Sequence, residues 1–150
     1  STVVVPMRAE TAGSLAISFS SAPDGARLTG AAAHGALNLG SVSHGGTFTP
    51  NVTIQKHSDC FVVATRFAIS LEDASHRVSA ATVTAALASP EPLFTLRLDG
   101  VKLGAVPQML QGRARVGMTT LHRLEIEVPN SVTEKNSQLQ NAIVFQVIAN

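Results

Sequence analysis

The spacing of the turn-forming residues constrains this chain more than any other feature. Runs rich in Val, Thr, Ile, Leu and Phe are cut at short intervals by Gly, Pro, Asn or Asp, and helical periodicity is hard to find. Strands are predicted over residues 2–9, 15–20, 36–42, 47–55, 61–71, 79–87, 93–98, 101–103, 121–128 and 139–148. Strands this short and this numerous fit a single all-β domain, an antiparallel β-sandwich or jelly roll. Its length of 150 residues and 45% hydrophobic content suffice for one continuous core. No repeat or low-complexity linker separates a second domain, so 1–10 reads as an extended N-terminal strand and 11–150 as the globular body.

Local signals sharpen this reading. In Leu96-Arg97-Leu98-Asp99-Gly100-Val101-Lys102-Leu103, alternating residues flank an Asp-Gly pair suited to the positive backbone angles of a two-residue hairpin turn. Pro23-Asp24-Gly25 and Ser43-His44-Gly45-Gly46 read as further turns. Residues 72–77 are expected to form one turn of helix, and residues 133–137 a polar loop. Alternation in Leu124-Glu125-Ile126-Glu127-Val128 puts Glu125 and Glu127 together on a solvated face. The six Phe residues (Phe19, Phe48, Phe61, Phe67, Phe94, Phe145) sit in apolar runs and read as core.

The composition argues against several functions. With 11 basic and 10 acidic residues there is no polyanion-binding surface, so nucleic acid is an unexpected partner. The apolar runs are far shorter than the ~20 residues of a membrane-spanning helix. The low charged fraction, 14%, suits a chain kept from solvent by assembly or glycan. The first residue is Ser1, which fits export with removal of a signal peptide and fits a trimmed chain equally.

Motifs for catalysis are missing: GxSxG, GxxxxGK[ST], GxGxxG, HExxH and CxxC do not occur. The histidines His34, His44, His57, His76 and His122 are scattered. His57-Ser58-Asp59-Cys60 gathers three potential ligands, but a polar turn leading into a strand accounts for it as well. Cys60, the single cysteine, precedes Phe61-Val62-Val63 and reads as an inert buried thiol. Trp and Tyr are both zero, which removes the usual sugar-stacking rings, and isolated Asp residues do not form a calcium loop. Asn51-Val52-Thr53 is a sequon, making Asn51 a candidate for glycan modification. No cofactor and no catalytic residue is expected.

The N-terminal stretch Thr2-Val3-Val4-Val5-Pro6-Met7-Arg8-Ala9 is extended and apolar. Pro6 removes a backbone donor and argues against a central strand. A segment of this kind must pair, either in its own sheet or along the open edge of a neighbouring copy. The second outcome joins copies head to tail into a filament that need not close.

Two stretches carry a resemblance. Leu124-Glu125-Ile126-Glu127-Val128-Pro129-Asn130-Ser131, followed by a polar loop with Asn136 and Gln140 and then Ala142-Ile143-Val144-Phe145-Gln146-Val147-Ile148-Ala149, resembles the closing strands of camelysin/TasA-type biofilm fibre subunits. Leu37-Asn38-Leu39-Gly40-Ser41-Val42-Ser43-His44-Gly45 is similar to a motif of the same family, and together they cover about a quarter of the chain. The resemblance implies an exported jelly-roll sandwich polymerised by an N-terminal donor strand, here placed on Val3, Val4, Val5, Met7 and Ala9. Peptidase activity, sometimes associated with that family, has no zinc-protease motif to carry it here. Chaperone-usher pilins also donate a strand but commonly carry a paired disulfide, which one cysteine forbids. The expectation is a secreted or cell-surface, non-enzymatic structural subunit whose partner is itself. The alternative is a monomeric secreted binding module for adhesion or carbohydrate recognition.

Overall fold

The computed structural model describes residues 2–10, 13–42, 49–89, 92–135 and 138–150. In chain order its elements are β1 (Thr2–Glu10), β2 (Leu15–Ser21), β3 (Leu28–Ala31), β4 (His34–Ser41), β5 (Thr53–Lys56), β6 (Cys60–Asp73), β7 (Ala80–Leu87), β8 (Thr95–Leu98), β9 (Val101–Lys102), β10 (Gln108–Arg115), β11 (Thr119–Pro129), α1 (Asn130–Lys135), β12 (Gln138–Gln140) and β13 (Ile143–Ala149). The strands form two packed sheets, an all-β sandwich. One runs β10-β7-β13-β1-β4-β3 with β12 beside β1; the other runs β2-β6-β11-β8-β9 with β5 beside β6. Pairing is antiparallel throughout the described residues except where β1 runs parallel to β12 and β13.

Strand alternation produces this packing. β7 buries every second residue, and β1 buries Val3, Val5, Met7 and Ala9 while Thr2, Val4 and Pro6 stay half-exposed. The inward side chains of both sheets merge in one cluster. At its centre Phe145 of the first sheet meets Phe19 at 5.0 Å and Phe67 at 6.3 Å between ring centroids, both from the second sheet, in the tilted and edge-on geometries that rings prefer. Phe61 and Phe94 are buried as well, whereas Phe48 lies outside the described residues.

The Asp-Gly hairpin forms as expected. Leu98 pairs with Val101 across Asp99 (φ 50°) and Gly100 (φ 83°), the left-handed pair of a primed turn. The turn at Pro23-Asp24-Gly25 also forms, but its glycine is required for closeness: a Cβ on Gly25 would stand 1.9 Å from the Arg66 carbonyl oxygen. The turn expected over Ser43-His44-Gly45-Gly46 falls outside the described residues.

Several expectations are corrected. Residues 72–77 are not helical, because β6 continues to Asp73 and then turns, with His76 at φ 57°. Residues 133–135, read as loop, belong to α1, where the Thr133 hydroxyl donates to the Asn130 carbonyl at 2.8 Å. The run 139–148 is two strands, split at Asn141 and Ala142. Of the strand expected over 47–55, residues 47 and 48 lie outside the described residues, 49–52 make a turn, and strand forms only from Thr53 to Lys56. β3 and β10 were not anticipated, since both lie at sheet edges and bury almost nothing. Among the described residues no helix is long and apolar enough to cross a membrane.

Candidate functional site

The donor residues assigned by resemblance all lie on β1, which occupies a slot between β4 and β13. Pro6 therefore does not exclude β1 from the sheet interior, and the pairing shows why. On one side Thr2, Val3 and Val4 pair with Gln138, Leu139 and Gln140, and pairing resumes at Met7 with Ile143. Val5 and Pro6 stand opposite the interruption at Asn141 and Ala142, where a residue without an N–H costs no ladder bond. The interruption is itself braced: the Asn141 side-chain carbonyl accepts from the Ser89 N–H at 3.2 Å, and the Ala142 carbonyl accepts from the Ala88 N–H at 2.9 Å.

The other side of the slot carries a second irregularity. Val3 pairs with Gly40 but Val4 with Asn38, so Leu39 is an extra residue in β4. Gly40 takes φ 81° there, and its N–H is held by the Asn38 side-chain oxygen at 2.9 Å. This is a β-bulge, and glycine meets its left-handed requirement. Across this stretch Val3, Val5 and Met7 are at most 1% exposed. Each contributes roughly 1.5–3 kcal/mol of apolar burial. Ala9 joins them at 9%, while Val4 faces outward. Of the flanking strands, β12 pairs only β1 among the described residues, but the other two do not depend on β1 for all of their pairing. β4 keeps β3, and β13 keeps β7, which in turn pairs β10.

A polar group missed at the sequence level sits in the other sheet. His122 is 3% exposed; its Nδ1 lies 2.6 Å from Asp99 Oδ2 and its Nε2 2.7 Å from Thr120 Oγ1. Asp99 also accepts the Arg123 N–H at 2.8 Å, so the carboxylate fastens the β8–β9 hairpin to β11. The ring thus bridges the Asp99 carboxylate and the Thr120 hydroxyl, one at each nitrogen. The signal for this group was available: His122 is in phase with Leu124, Ile126 and Val128 and so faces the core. Both ring nitrogens are satisfied within the fold, which accounts for a buried histidine as a structural tie.

A second polar centre is Asp73 at the end of β6. Its carboxylate accepts from the Ser14 hydroxyl, the Val78 N–H at 2.7 Å, the Arg77 N–H at 2.8 Å and the Ser75 N–H at 3.1 Å. These donors, the Ser14 hydroxyl first and the Val78 N–H next, hold its carboxyl well below the usual carboxylate range. Ser14, Ala16, Glu72, Asp73, His76, Val78 and Val116 border an open hollow of about 600 Å³.

The remaining candidates separate. Ser58 and Asp59 form the β5–β6 turn, closed by the His57 N–H donating to the Cys60 carbonyl at 2.9 Å, and no group of three His, Cys, Asp or Glu gathers among the described residues. Cys60 is half-buried at the start of β6, outside the core cluster where it was expected. Burial, then the charges of Asp59 and Glu127, push its thiol up, so it stays protonated at neutral pH. Glu125 and Glu127 lie half-buried on the outer face, Glu125 paired with Arg123 at 2.9 Å. Asn51 is exposed in a turn (φ 64°), its side-chain N–H donating to the Gly25 carbonyl at 3.2 Å. No family model and no curated protein matches this chain. Its own geometry therefore carries the functional reading.

Proposed function

We propose that this chain is a structural subunit of an extracellular filament, pilus or biofilm matrix fibre, assembled head to tail by strand exchange. β1 of one copy fills the slot between β4 and β13 of the next. The observation that carries this reading is the slot itself. It has apolar sockets for Val3, Val5, Met7 and Ala9, and two of its bordering strands, β4 and β13, have antiparallel partners of their own, while β12 pairs only β1 among the described residues. An emptied slot exposes two strand edges and an apolar floor, which a strand of the same sequence restores in full. Donation and acceptance by every copy make a heterologous contact, which propagates. The role is non-enzymatic, and its site residues are those of β1 and the slot.

The test uses two single-cysteine proteins, both carrying Cys60→Ser. One carries Arg8→Cys and the other His34→Cys, exposed positions directly opposed across β1 and β4. Mixed, assembled and oxidised, they give a disulfide-linked heterodimer when β1 lies in a neighbour's slot. Dispersed monomers without that product at any concentration would transfer the chain to the class of secreted binding modules.

A further inference from the structure

Both walls of the slot are irregular, at adjacent places, and a regular strand would not need either. We infer that the slot selects one register of one occupant, the β1 of a second copy of this chain, and that Pro6 is the residue that sets the selection. The inference rests on the strand-exchange reading and specifies its partner.

Three registers can be compared. A slip of one residue turns every side chain over and drives Arg8 toward the core. A slip of two keeps Val3, Val5, Met7 and Ala9 on the core side, so burial alone discriminates weakly. It does move Pro6. In the place of Val4, proline faces Gln140, and in the place of Arg8 it faces Val144, both of which have ladder partners in the native pairing. A residue without an N–H leaves a ladder bond unmade at either place, while opposite Asn141 and Ala142 it leaves none. The same slips carry Met7 into the socket of Val5 or of Ala9, and the β4 bulge no longer faces the step between Val3 and Val4. A foreign apolar strand with an N–H at every position gains nothing from the interruption. The proline that argues against a central strand thus acts as a key for this one.

The register is read with the full chain in the Cys60→Ser background. Arg8→Cys protein is mixed with either His34→Cys protein, the native partner, or Ala36→Cys protein, which position 8 opposes when Pro6 has slid into the place of Val4. With Pro6 present, the native heterodimer forms and the slipped one stays a minor product. Adding Pro6→Val to the Arg8→Cys protein raises the slipped-to-native ratio by roughly tenfold, the scale of one regained ladder hydrogen bond. An unchanged ratio with abundant native product would overturn the role of Pro6 and leave strand exchange standing. Absence of heterodimer from every pair would overturn strand exchange and the inference together.

Discussion

β1 and the β6–β11 pair both place fully buried side chains in the core and are quite differently held. β6 and β11 run in register over 11 consecutive pairs, from Thr119 with Ser70 to Pro129 with Cys60, with no shift. β1 is interrupted on both sides within nine residues. Val3 and Val5 are as inaccessible as Phe67, Leu124 and Ile126, all at 0%. Burial supplies the free energy in both places, but ladder continuity decides whether a strand opens with the whole fold or ahead of it. In the proposed assembly, the β6–β11 pair is the permanent frame and β1 the exchanged part.

The largest expected effects test this contrast directly. Phe67→Ala removes a ring from the frame and is expected to cost about 3–5 kcal/mol, lowering the single denaturation transition. Met7→Ala is expected to cost about 2–5 kcal/mol, and its effect should also differ in kind. Amide exchange should accelerate in β1 and along the facing edges of β4 and β13, with β6 and β11 still protected. Equal acceleration in both regions would mean that β1 opens only with the whole molecule, and the contrast would fail.

A smaller effect is expected at the tie between hairpin and frame. His122→Leu keeps an apolar side chain among core neighbours but leaves the Thr120 hydroxyl and the Asp99 carboxylate without their shared partner. The cost should be about 1–3 kcal/mol in urea unfolding, since Asp99 retains the Arg123 N–H and partial contact with water. Exchange in β1 should be unchanged, because the tie belongs to the other sheet. Faster exchange in β1 would show that the two sheets are coupled more tightly than the pairing indicates.

Legibility in the sequence followed burial. β1, β2, β7 and β11 bury alternate residues along one face, and β6 does so with Ala64 and Ala68 buried on its other face as well; that alternation is what the sequence displays. β3, with Leu28-Thr29-Gly30-Ala31, and β10, with its exposed Met109 and polar flanks, lie at edges and leave no alternating trace. The break between β12 and β13 was hidden because Asn141 is a buried polar residue whose brace, Ser89, lies 52 positions away. The placement of Pro6 was hidden for the same reason: an unpaired position in a neighbouring strand is a tertiary fact. Of the polar centres, His122 was readable from its phase in β11, whereas Asp73 looked like the first turn of a helix. Its real partners, Ser14 and Val78, meet it only when β2 and the loop after β6 close around it.

Asp73 brings the last and smallest expected effect, and it links the two regions. Ser14 ends the connector from β1 to β2, and it is held at the end of β6 by the Asp73 carboxylate, by the Ser75 hydroxyl at 3.2 Å and by its own carbonyl accepting the Ala74 N–H at 3.1 Å. The frame therefore clamps the connector that β1 would have to release in the proposed strand exchange. Because the folded carboxyl is held below its ordinary value, it resists a proton that the unfolded chain takes up. Its stabilisation is fully present above the unfolded value, about 4, and declines as pH falls below that. Asp73→Asn should lower the melting temperature at neutral pH, and the gap to the unsubstituted protein should narrow steadily in acid. In the unsubstituted protein the protection of β1 amides, relative to their intrinsic exchange rate at each pH, should fall over the same range, ahead of any loss of β6–β11 protection. A gap that stays constant with pH would assign the clamp to the shape of the loop, with the charge of the carboxylate contributing nothing.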